Sequence, residues 1–278
     1  MMKIQQSFMN PEIPEKKSGV VVYLDALGIK DSSSEETQQF IHNKKKFLED
    51  ADKLWKKRKK QFTSDLQFHL PEPEIATFQD SIVICWSDKE EKSNFLPTYL
   101  SAGQWLIDTM PSACKDYHMF FRGAISVGDY YFDTEKNNVT VLGNAVSDAV
   151  RYEPLANWIG VIQTGACRKK YLDFLKREER KVNPKANDEI NQEMLKYYAF
   201  LFVPYHIPLK TNVDDAVSYK KYFALSWPYH ACKLGISFSE LTSNASESVS
   251  PEIKPKYDNA NDFFEWYKKN IFPELPKS

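Results

Sequence analysis

The stretch ATFQDSIVICW, residues 76–86, decides how the chain folds. Ile82, Val83, Ile84, Cys85 and Trp86 form the apolar run of a buried strand, and Asp80 stands just ahead of it. A carboxylate at the mouth of a core strand needs a partner or a solvated edge, because burying an unpaired charge is costly. Reading outward, residues 74–79 and 81–87 become two strands that meet near Asp80, with Pro71 and Pro73 closing off what precedes them.

Upstream, GVVVYLD (19–25) reads as a buried strand that also ends in a carboxylate, Asp25. Between the two strands, residues 35–61 have Phe40, Phe47, Leu48, Leu54 and Trp55 at helical spacing, with Glu35 and Glu36 following serines at the start. Downstream, the pattern predicts a helix over 93–110 and a strand pair in FFRGAISVGDYYF (120–132) turning near Gly128. A short strand over 139–142, a helix opened by GNAVSDAVRYEPLA and a strand in WIGVIQT follow. The order is β–α–β–β–α–β, the signature of an α+β, ferredoxin-like split βαβ core.

Residues 1–18 are polar and contain prolines, and are expected to form a loose arm. Residues 19–167 then make the core unit. Residues 168–278 form an α/β extension packing on it, with charged helices, the aromatic strand YYAFLFV, a Ser/Asn/Pro-rich linker at 242–261 and the amphipathic helix NDFFEWYKKNIF.

A hydrophobic content of 42% across 278 residues supports a sizeable core. A net charge of -1 argues against a dedicated polyanion binder, so no nucleic-acid partner is expected. Cys85, Cys114, Cys167 and Cys232 lie far apart without a CxxC pair and read as buried thiols of a reducing compartment. No stretch approaches the roughly 20 apolar residues of a membrane span, and MMKIQQSFMNPEIPEKKSG has no apolar signal region. The expectation is a cytoplasmic protein without a membrane partner. His69, His118, His206 and His230 show no ligand spacing, and the lysines of KLWKKRKK (53–60) read as a solvated helix face.

In a split βαβ sheet the first strand lies centrally, so Asp25 faces the hairpin that carries Asp80. Two carboxylates that close raise one pKa. Paired hard oxygen ligands open to water suit Mg²⁺ or Mn²⁺ carrying a phosphate substrate. The alternative is that both are ordinary turn residues. Gly28, in ALGIK after Asp25, allows a tight turn whose backbone amides can hold phosphate oxygens, although no P-loop pattern is present. In LGNAVSDAVRYE (142–153), Asn144, Ser147 and Arg151 share one helix face, opposite Val146, Ala149 and Val150. Amide, hydroxyl and guanidinium together suit developing negative charge on an oxyanion or phosphorus centre; pairing of Arg151 with Asp148 or Glu153 is the plain alternative.

These segments resemble, in order, the motifs of class III nucleotidyl cyclases. YLDALGIK resembles the metal-binding opening and FQDSIVI the second metal motif; FRGAISVGDYY resembles the strand pair that follows, and LGNAVSDAVR the GNxVNxAxR helix. The resemblance covers about residues 18–165. It implies a head-to-tail homodimer with substrate between protomers, and two Mg²⁺ or Mn²⁺ ions per site held by Asp25 and Asp80 with Ala26 beside them. It further implies triphosphate contacts from the amides of Ala26, Leu27, Gly28 and Ile29, and Arg151 reaching in from the partner chain, with Ser147 and Asn144 on the same helix.

Departures from the family pattern matter as much. The purine-reading lysine of adenine-specific members falls at Ala76, the second base-reading position at Thr140, and the ribose-orienting asparagine at Ser147. Phe78 shares a strand face with Ala76 and Asp80 and narrows the base cavity. This profile resembles the pyrimidine cyclases of bacterial Pycsar anti-phage defence, which convert UTP to 3′,5′-cyclic UMP, or CTP to cyclic CMP, as a signal read by a separate effector through the product. The alternatives are a purine nucleotide cyclase and an inactive nucleotide-binding or dimerisation module.

Overall fold

The computed structural model describes residues 14–29, 32–66, 70–88, 95–134, 138–181, 200–210, 218–243 and 251–275. The first thirteen residues of the expected arm, His69, the expected helix start at 93–94, residues 182–199 of the charged region and 244–250 of the expected linker lie outside the described residues.

The first strand, β1, runs Lys16–Ala26, and its alternation sets the two faces of the sheet. Val20, Val22 and Leu24 join the main core, whereas Val21 belongs to a smaller cluster on the opposite face and the partly buried Tyr23 packs against both. Strands β2 (Glu74–Phe78) and β3 (Ser81–Ser87) form the expected hairpin around Gln79 and Asp80, with Gln79 in the left-handed region at φ 35°. Strand β4 covers Phe121–Asp133 and β5 Thr140–Leu142; β6 is Gly160–Gln163, and β7 (Phe202–Leu209) and β8 (Ser218–Leu225) pair as a hairpin. Among the described residues these make one eight-stranded sheet of order β2-β3-β1-β4-β6-β8-β7, with β5 attached to β4. β1 is antiparallel to both β3 and β4, and the β2-β3-β1-β4 portion is the ferredoxin-like arrangement the element order predicts.

Helix α1, Ser34–Leu66, starts at a capping box: the Glu36 N–H donates to Ser33 Oγ, and the Ser33 N–H donates to Glu36 Oε2. It buries Phe40, Phe47, Ala51 and Trp55; Leu54 lies off this stripe and is exposed. Helix α2, Phe95–Tyr117, passes the expected end at residue 110 and runs through Pro111. Ala113, Cys114 and Tyr117 are all buried, so packing of the last turns offsets the hydrogen bond that proline removes. Both helices cover one face of the sheet, where Trp105 meets Phe47 and Trp86 edge-on.

Helix α3, Asn144–Tyr152, lies against the other face. Its inward residues are Ala145 and Ala149; Val150, expected to face the core, is exposed. The expected turn at Gly128 is absent, and β4 is one continuous strand paired with β1 from Phe121 to Tyr131. Gly128 has φ 148°, and a Cβ there would stand 2.5 Å from Asn144 Oδ1, so the glycine serves the close approach of α3 rather than a reversal of the chain.

The C-terminal segment continues the same sheet. β6 is parallel to β4 and β8 pairs with β6, which puts β7 at the edge. Helix α4 (Gly165–Lys181) follows β6, and α5 (Tyr229–Lys233), α6 (Phe238–Leu241) and α7 (Lys254–Asn270) follow β8. α7 begins inside the stretch expected to be linker. Phe263 packs on Trp158 and Tyr205, and Phe264 on Trp227, so the aromatic helix closes the main core. No described helix is long and apolar enough to cross a membrane.

Candidate active site

Asp25 occupies the last pair of the β1–β3 ladder, opposite Ser81, and pairs on its other side with Arg122 of β4. The hairpin turn is fastened to this point, because the Ala26 N–H donates to the Asp80 carbonyl at 3.0 Å. The two aspartates expected to converge are therefore neighbours. Lys44 of α1 donates to the Gln79 carbonyl and ties the turn to the helix layer.

The Asp25 carboxyl is raised from its ordinary value by burial and by Asp80; Arg122, Ser81 and Lys210 act in the other direction. Ser81 Oγ lies 3.4 Å from Asp25 Oδ1 and 2.8 Å from the Tyr23 hydroxyl. Among the described residues no group of three or more His, Cys, Asp or Glu side chains could hold a metal ion. The donor set still suits a magnesium-like ion, which is held by one or two carboxylates together with water and substrate phosphate rather than by an all-protein cage. A cation between Asp25 and Asp80 would also relieve the repulsion that raises Asp25.

The expected cradle of backbone amides is narrower than the sequence suggests. The Ala26 N–H is used by Asp80, and the Leu27 N–H donates to the Phe120 carbonyl at 2.8 Å. Both residues are buried, which leaves the exposed Gly28, at φ 86°, and the adjacent Ile29 as the part of the turn open to a ligand.

Asn144, Ser147 and Arg151 do share one exposed face of α3. Arg151 is 72% exposed and donates to Asp148 Oδ1 at 2.6 Å; Asp148 in turn accepts from Ser126 at 2.9 Å. Within one chain, then, the guanidinium takes the plain pairing and points to solvent, apart from the two aspartates.

The base-reading positions separate. Ala76 is 1% exposed and lies in the apolar cluster with Val21, Val83, Cys85, Tyr130, Val141 and Ala145. Thr140 is exposed while its neighbour Val141 turns inward, so strand alternation puts Val141, not Thr140, on the face of Ala76. Phe78 is 40% exposed at the end of that face, beside the turn that carries Asp80, and is not a core aromatic.

The sequence reading missed Arg122 and Glu153. Both are buried; Arg122 Nε donates to Glu153 Oε1, and Nη2 lies 3.4 Å from Asp25 Oδ2. The available signal was an arginine between Phe121 and the apolar GAISV of a core strand, since arginine is almost never fully buried unless it is paired.

No family model matches the sequence, and no curated protein matches it. Similar solved structures include the dimeric guanylyl cyclase domain of the RhoGC fusion protein from the aquatic fungus Blastocladiella emersonii, at 12% identity and a TM-score of 0.45, covering 77% of this chain and 98% of that one. The guanylate cyclase domain of RhGC from Catenaria anguillulae in complex with GTP is similar at 12% identity and a TM-score of 0.43, covering 76% of this chain and 97% of that one.

Proposed function

We propose that the chain is a nucleotidyl cyclase, and specifically a pyrimidine cyclase that converts UTP to 3′,5′-cyclic UMP and pyrophosphate as an anti-phage signal. The observation that carries the reading is the convergence of Asp25 and Asp80 at one end of the central strands, beside an open glycine turn. The ordered motifs of the sequence agree with it.

In this reading, Asp25 and Asp80 would hold Mg²⁺ or Mn²⁺, which when bound acidifies a hydroxyl and neutralises phosphate charge. The turn at Gly28 and Ile29 receives phosphate oxygens. The ribose 3′ oxygen forms a bond to the α-phosphorus, the bond from that phosphorus to the bridging oxygen breaks, and pyrophosphate leaves while the hydroxyl proton passes to solvent. Arg151 stabilises the charge from a second copy of the chain, with Ser147 and Asn144 beside it. Its outward direction on α3 suits delivery to a neighbour, and loss of such a donor costs roughly 10²–10³ in rate. An active homodimer with two equal sites follows.

The pyrimidine preference draws on Ala76. Where adenine-specific members of the family carry a lysine this chain has an alanine, so no ammonium is available there for a purine edge. Phe78, exposed next to Asp80, offers a flat surface to a base. No residue separates uracil from cytosine.

Incubating the full chain with each of the four NTPs and Mn²⁺ or Mg²⁺, and identifying products by chromatography, tests the proposal. Cyclic UMP or CMP is expected, with none from Asp80→Ala. Cyclic AMP or GMP would make it a purine cyclase, and no product at concentrations that hold the dimer would leave a binding module.

A further inference from the structure

The hairpin turn that carries Asp80 has a backbone its sequence does not favour. Phe78 pairs with Ser81, so Gln79 and Asp80 are the two central residues of a two-residue loop, and of these only Gln79 has positive φ, at 35°. Tight hairpins that need positive φ at the first central position take glycine there, because a Cβ in the left-handed region crowds the backbone. Gln79 is exposed, so burial of its side chain does not fix this conformation. Strain of this kind persists only where the surroundings over-determine it.

Both carbonyls of the turn are caught from outside the hairpin. That of Asp80 accepts from the Ala26 N–H at the end of β1, at 3.0 Å. That of Gln79 accepts from the Lys44 ammonium. Lys44 is firmly mounted for this. It sits one turn after Phe40, with its ammonium 5.4 Å from the centre of that buried ring, and the preceding Asn43 donates to the Tyr117 carbonyl of α2 at 2.9 Å. A hydrogen bond from an ammonium is roughly twice as strong as one between neutral groups, and the mechanism above gives this lysine no task.

We propose that Lys44 is a positioning residue for Asp80: it holds the Gln79 carbonyl, keeps the turn left-handed at Gln79, and so sets the Asp80 carboxylate beside Asp25 for a divalent cation. The proposal deepens the cyclase reading and rests on it for the use to which the cation is put. It makes α1, which supplies neither aspartate, part of what sets metal affinity. The sign of the effect separates it from plain electrostatics. Removing a positive charge from the turn would by itself tighten cation binding, whereas losing the hold on the turn weakens it.

Calorimetric titration of the full chain with Mn²⁺, paired with hydrogen exchange of the Ala26 amide in metal-free buffer, tests this. Lys44→Met keeps most of the apolar stem and loses the donor. It should weaken Mn²⁺ binding and speed Ala26 exchange, each roughly tenfold, the loss expected for one hydrogen bond to a charged group. Adding Gln79→Gly, which lets the turn keep its shape unaided, should return both to the parent values. Lys44→Arg, which keeps a cationic donor, should stay close to the parent. Mn²⁺ that binds Lys44→Met as tightly as the parent, or more tightly, overturns the positioning role; so does unchanged Ala26 exchange, or a loss that Gln79→Gly fails to restore. A parent that binds no Mn²⁺ overturns it together with the metal set. Binding that follows the expected order in a chain that cyclises no NTP upholds Lys44 and overturns the cyclase reading alone.

Discussion

At Asp25, burial and the neighbouring Asp80 favour the neutral acid, while Arg122 and Ser81 favour the carboxylate, and the first pair prevails. A group in that position costs the fold stability, a cost that a bound cation would relieve. Asp25→Asn should therefore melt no lower than the parent in metal-free buffer. Mn²⁺ should raise the melting temperature of the parent, because a cation that binds only the folded state stabilises it, and should leave Asp25→Asn unmoved. A retained Mn²⁺ response would take Asp25 out of the metal set. The Arg122–Glu153 pair behaves in the opposite way, since each partner is nearly buried and depends on the other. Arg122→Met strands a buried carboxylate and should cost about 3–5 kcal/mol in urea unfolding, most of which Arg122→Met with Glu153→Leu should recover. Asp25 was legible in the sequence because it ends an apolar run. Its dependence on Arg122 was not, because register between β1 and β4 is set by pairing across 97 positions of chain and leaves no local pattern.

Among the elements, the hairpin, α1 and β5 were legible from alternation and spacing, whereas β4 was misread. Gly128 followed by Asp129 looks like a turn, and only the packing of α3 shows why a glycine is needed there. The contacts that lock α1, α2 and α5 together were equally silent. Asp108, with its side chain 4% exposed, accepts two bonds from Arg58 at 2.9 and 3.0 Å, one from Gln104 at 2.7 Å, and bonds His230 Nε2 at 2.7 Å. Burial alone would raise its acid; the bonds from His230, Arg58 and Gln104 outweigh that and hold it below the ordinary value. A depressed folded pKa contributes stability that is complete above the unfolded value, about 4, and is lost as pH falls through the folded one. Asp108→Asn should cost about 2 kcal/mol near neutral pH, and its deficit against the parent should shrink below about pH 4. A deficit that stays constant down to pH 3 would mean that the charge is not what joins the three helices.

For the molecule as a whole, the sequence suggests a core unit with an extension packing on it, and among the described residues strands of both belong to one sheet. β6 lies between β4 and β8, so the sheet beyond the ferredoxin-like portion is completed only when residues 218–225 return to β6. That pairing joins segments some sixty positions apart through a stretch without clear periodicity, which is why alternation could not announce it. The aromatic pattern of NDFFEWYKKNIF did announce a buried face, and α7 delivers Phe263, Phe264 and Tyr267 to it, each with 0% exposure. Each such burial stabilises by about 1.5–3 kcal/mol. Together they rival the roughly 5–15 kcal/mol that holds a whole domain. Their loss would also uncover Trp158, Tyr205 and Trp227, against which they pack. A chain ending at residue 253 should therefore lose cooperative thermal unfolding and the near-ultraviolet circular dichroism of its ordered aromatics, even though β1 through β8 remain intact in sequence. A truncated chain that still melts sharply would show instead that the core under α1 and α2 stands without α7. The C-terminal segment would then be an addition to the fold rather than part of its completion.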